Sequence, residues 1–98
     1  MQNIPSSAVI STAPNQIASE LEGEAIILNL VSGMYYGLNE VGAKIWELIQ
    51  QPCTFENILN GLLEEYDVQP DICQQDLAKI LEDMKEARLI EVSDEAGY

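Results

Sequence analysis

Residues 28–49, LNLVSGMYYGLNEVGAKIWELI, decide how this chain folds. The stretch opens as an apolar strand, reaches Ser32-Gly33, and returns through Met34, Tyr35, Tyr36 and Leu38. A small residue followed by glycine between two strand-like runs signals a hairpin, because glycine accepts the positive φ of tight turns. A two-residue turn at Ser32-Gly33 sets Val31 opposite Met34, Asn29 opposite Tyr36 and Ile27 opposite Leu38. Asn39 then reads as a helix N-cap. Behind it Val41, Ile45, Leu48 and Ile49 recur at helical spacing, with Trp46 beside them. One stretch thus holds a hairpin, a cap and an amphipathic helix.

Outward from it, residues 17–21 and 25–31 supply two further strands around a turn at Glu22-Gly23-Glu24. With the strand at residues 34–38 they form an antiparallel meander whose third strand is a free edge. After the first helix, over residues 40–50, Thr54 caps a second whose stripe is Phe55, Ile58, Leu59, Leu62 and Tyr66. Pro70 suits the first position of a third, where its missing N–H costs nothing. That helix carries Cys73, Leu77, Ile80, Leu81, Met84 and Ala87 on one stripe and ends near Arg88. Residues 89–92 read as a short extended piece, a possible wing. The expected class is α+β: a three-stranded antiparallel sheet followed by three helices, compatible with a winged helix-turn-helix. Residues 1–15, small and polar with Pro5 and Pro14, read as a flexible arm. Residues 16–92 form the domain, and residues 93–98 an acidic tail.

Composition excludes more than it selects. The 98 residues suffice for one core, and 17 acidic against 4 basic residues give a net charge of −13. That balance argues against nucleic acid, whose affinity rests on Lys and Arg neutralising phosphates, and against anionic membranes. No apolar run is long enough to span a bilayer, and the N-terminus lacks a secretory signal, so the expected location is the cytoplasm. Histidine is absent, which removes the commonest general base and metal ligand. Cys53 and Cys73 stand apart without CxxC spacing and read as reduced thiols. The carboxylate groups Glu64, Glu65, Asp67 and Glu82, Asp83, Glu86 fall on polar helix faces and read as solvated surface. The glycines build no phosphate loop and Asp94-Glu95 no calcium loop. No enzyme, cofactor or metal site is expected.

What the residues do offer is an unprotected edge. Edge strands are normally blunted by charge or proline, and Met34-Tyr35-Tyr36-Gly37-Leu38 carries neither. Tyr35 and Tyr36, adjacent in a strand, point to opposite faces, so one is buried and the other exposed. A bare edge recruits an extended peptide through main-chain hydrogen bonds, and flanking apolar pockets select its side chains.

With its SGxYYxLN hairpin and GAKIWEL helix start, the chain resembles the PqqD family. The likeness continues through LLEEYDV at residues 62–68, Asp76-Leu77, Ile80-Leu81 and Leu89-Ile90, and covers about residues 17–92. The resemblance implies a leader-peptide recognition element for ribosomally made, modified peptides. The leader would add as a strand along the third strand, in a cleft against the third helix, for delivery to a protease, cyclase or radical enzyme. The tight hairpin looks more like the lasso-peptide type than the pyrroloquinoline quinone type. On this chain the implied peptide-binding residues are Met34, Tyr35, Tyr36, Gly37 and Leu38, with Asp76, Lys79, Ile80, Asp83 and Met84 as a connected strip on the third helix. The acidity of the chain requires a leader that is not itself strongly acidic over the contacted segment. The competing reading, a winged-helix DNA-binding regulator, is opposed by Lys44, Lys79, Lys85 and Arg88 being scattered among many more carboxylates.

Overall fold

The computed structural model describes residues 4–5 and 7–93. The hairpin strands are β2 (Gln16–Leu21), β3 (Glu24–Asn29) and β4 (Tyr35–Leu38), in sheet order β2-β3-β4. The β2–β3 turn places Glu22 at φ 54° and Gly23 at φ 84°. Two successive positive φ angles make the primed turn whose twist matches flanking strands.

The second turn corrects the expected register. Pairs are Ala25–Leu38, Ile27–Tyr36 and Leu28–Tyr35, two residues away from a turn at Ser32-Gly33 alone. Asn29 is the cause. Its Oδ1 accepts from the backbone N–H groups of Val31 and Ser32, both at 2.9 Å, and its C=O accepts from Gly33 at 2.8 Å. The loop therefore spans residues 30–33, with Gly33 at φ 75°. Because side chains alternate with period two, a slip of two leaves every residue on its expected face.

The helices are α1 (Glu40–Leu48), α2 (Phe55–Glu65) and α3 (Pro70–Glu86). Asn39 caps α1 by accepting from Gly42 at 2.9 Å, and Thr54 caps α2 by accepting from Asn57 at 3.1 Å. Pro70 opens α3. α1 packs on β3 and α2, and α2 packs on α3. Ile27, Ile45, Ile49, Ile58, Leu77 and Leu81 fill the interior, with Trp46 and Phe55 beside them, as the stripes predict. The α+β class, the meander and the three helices stand.

The N-terminal segment differs. Val9–Thr12 is a strand, β1, at the centre of a second sheet of order β5-β1-β6, where β5 is Cys53–Thr54 and β6 is Ile90–Ser93. Ile10 is completely buried there, as is Ala8. Phe55 N–H donates to Ala8 C=O at 2.9 Å, and Ala13 N–H to Leu89 C=O at 2.9 Å. The reading of residues 1–15 as a flexible arm is thus corrected for residues 7–15, which cross-link the start of α2 to β6. Residues 1–3 and 6 of that arm lie outside the described residues, and so do residues 94–98 of the acidic tail. The wing expected at residues 89–92 exists as β6, held by β1 rather than by a hairpin partner.

Candidate functional site

β4 is the end strand of its sheet, and among the described residues no strand pairs with its outer side. Which of its groups face outward follows from the ladder. Asn29 N–H donates to Met34 C=O at 2.9 Å, so Asn29–Met34 is a hydrogen-bonded pair. Such pairs alternate along antiparallel strands. Tyr36, opposite Ile27, and Leu38, opposite Ala25, therefore turn their N–H and C=O groups toward β3. Tyr35 and Gly37 turn theirs to the open edge.

The side chains divide the same way. Tyr36 and Leu38 lie half-buried against the core, whereas Tyr35 is 69% exposed, so the tyrosine pair splits as alternation requires. Met34, in the loop just before β4, is also exposed. A Cβ placed on Gly37 meets nothing within 4 Å, so the face of the sheet is open beside that edge.

The α3 residues are brought together only in part. Asp76 lines an apolar recess of about 170 Å³ with Val41, Tyr66, Val68, Ile72 and Cys73. Val41 sits in the first turn of α1, directly after β4, which brings this recess to the C-terminal end of the open edge. Lys79, Ile80 and Asp83 lie further along α3 and do not line it; Lys79 and Asp83 form an exposed ion pair at 4.0 Å. Ile80 is half-buried against the core, and Met84 is only 3% exposed, a core residue rather than a cleft residue. Val68 and Ile72 went unread in the sequence because Val68 lies in the link before α3 and Ile72 falls off that helix's main stripe; their signal was a pair of apolar residues flanking the Pro70 helix start. Burial first, and then the Asp76 carboxylate, push the Cys73 thiol above its ordinary range, so it lines the recess as a neutral, apolar group. Burial likewise raises the Tyr66 hydroxyl, with Glu40 and Glu65 adding to the shift and Lys44 opposing it. Both ring and thiol therefore stay uncharged at neutral pH.

Asn39 links the two parts, ending β4 and starting α1. Asn39→Ala is expected to cost about 0.5–2 kcal/mol of stability through the lost cap. Urea unfolding measures it; an unchanged midpoint would show that the cap contributes nothing here.

A free, apolar strand edge beside an apolar recess defines an α+β domain of the kind that takes up an extended peptide. The sequence profile described as coenzyme PQQ synthesis protein D (PqqD) matches residues 24–90, and the chain belongs to that family. The match leaves β1 and β2 outside it. Among solved structures, the chain is similar to "TbiB1 in Complex with the TbiA(beta) Leader Peptide", at 27% identity and a TM-score of 0.78, covering 83% of this chain and 94% of that one. A second, "Lasso peptide synthetase B1 complexed with the leader peptide", shares the fold at 21% identity and a TM-score of 0.74, covering 84% of this chain and 96% of that one. No curated protein sequence matches.

Proposed function

We propose that this protein captures the leader of a ribosomally made precursor by strand addition along β4, as a non-catalytic adaptor in lasso-peptide biosynthesis, and hands the precursor to its modifying enzyme or leader protease. The observation that carries this is the open edge of β4, with the N–H and C=O groups of Tyr35 and Gly37 turned outward. Membership of the PqqD family and the likeness to TbiB1, solved with a leader peptide, support it. The recess at Val41, Tyr66, Val68 and Ile72 would seat an apolar leader side chain, with Asp76 at its margin favouring a basic neighbour. Met34 and Tyr35 would flank the added strand, while Tyr36 and Leu38 support it from the core side.

Among the described residues no group of acidic or cysteine side chains is placed to hold a metal, and no helix is long and apolar enough to cross a membrane. The pyrroloquinoline quinone-type reading, an adaptor for a radical enzyme, uses the same edge and differs in the precursor and in the partner enzyme. A DNA-binding role conflicts with the charge of −13.

Hydrogen exchange with and without the leader half of the precursor tests the proposal. The Tyr35 and Gly37 amides should gain protection on binding, whereas Tyr36 and Leu38, already bonded to β3, should change little. Protection confined to other elements, or no change with saturating leader, would overturn it.

A further inference from the structure

The sheet has a second surface that strand addition leaves uncovered. On the face turned away from the helices, Ile17 pairs with Leu28 and Leu28 with Tyr35, while Ile26 lies opposite Ser19 and Gly37. Leu21 extends this face at the turn. Ile17, Leu21, Ile26 and Tyr35 are all about half or more exposed, a continuous apolar face across three strands rather than scattered surface residues. Glu22 and Glu24 stand at its rim, and residues 1–43 contain no Lys or Arg.

We propose that this outer face of the β2-β3-β4 sheet docks the enzyme that acts on the captured precursor, through an apolar surface rimmed by Lys and Arg. The proposal rests on the strand-addition reading and goes beyond it. Two observations select this occupant. A second copy of the chain would set two acidic rims against each other with no cation on either, which like-charge repulsion opposes. The leader cannot cover the face, because a strand added to β4 lies in the plane of the sheet. Instead, alternate side chains of the added strand point to this side and extend the face beyond Tyr35. An enzyme seated here therefore contacts adaptor and leader together, so leader and enzyme each tighten the other's binding by the same factor.

The test uses the leader protease and the cyclase encoded with the precursor, each purified and titrated against the full chain with and without leader. One of them is expected to bind the parent, more tightly with leader present and more weakly as salt rises. Ile17→Ser/Leu21→Ser/Ile26→Ser should weaken that binding at least tenfold while leader affinity stays at the parent level. Glu22→Lys/Glu24→Lys, which leaves the apolar face intact, should also weaken it and flatten the salt dependence. A parent that binds neither enzyme while binding leader overturns the docking face and leaves strand addition standing. So does enzyme binding that neither variant changes, or a parent dimer that the triple variant dissolves. An enzyme bound through this face by a chain that fails to bind leader supports the docking face and overturns strand addition.

Discussion

Gly37→Pro is expected to weaken leader binding at least tenfold, equivalent to about 1.4 kcal/mol, with the fold intact. Proline in a strand normally breaks the ladder it sits in. Here the ladder is spared, because Gly37 stands opposite Ile26 in a pair whose N–H and C=O groups point away from the partner strand. The substitution removes only the outward donor and puts a ring where the added strand's carbonyl would approach. The residue is not held at a positive φ, and nothing lies within 4 Å of its Cβ position. Gly37→Ala, which keeps the N–H, should bind leader close to the parent affinity. Titration by fluorescence anisotropy with a labelled leader, alongside melting curves, separates the outcomes. If the proline variant melts like the parent and binds leader as well, β4 is not the edge the peptide uses.

Ile10→Ala is expected to cost about 2–5 kcal/mol of folding stability, the range for removing a large aliphatic side chain from a packed core. For a domain of 98 residues this lowers the melting temperature by roughly 10 °C or more. A residue in a mobile arm would cost nearly nothing. Ile10 is completely buried between β5 and β6, paired with Cys53 on one side and Val92 on the other. Its loss opens a cavity where β1 meets β5 and β6. Chemical denaturation of the variant and the parent measures the difference; a change below about 0.5 kcal/mol, the usual range for surface substitutions, would return residues 7–15 to the status of an arm.

Local features were legible in the residues. Asn39, Thr54 and Pro70 start the three helices where their side-chain chemistry predicts, and the stripes behind them are the core. That the two tyrosines part to opposite faces, though not which of them is exposed, and that the third strand of the meander is free also followed from alternation and chain order. The hairpin was legible in its existence and not in its length, because the turn is set by the Asn29 side chain bonding two residues downstream. An asparagine before Leu-Val-Ser-Gly is a known turn former, but its spacing allows either loop.

The sequence by itself determined the class of fold, the acidic character that argues against a nucleic-acid partner, and the undefended strand at Tyr35–Leu38. The tertiary structure decided three other things. It placed β1 between strands some 40 and 80 residues away, a pairing that four residues cannot announce because its partners are not local. It separated Met84, a core residue on the apolar stripe, from the cleft strip in which the resemblance had also placed it, leaving Asp76, Ile72 and Val68 to line the recess, because only the packing of α3 on α2 and β6 fixes which side of that helix is free. It also decided which β4 amides face outward, since that depends on register, and register depends on the contacts of the whole hairpin rather than on any residue alone.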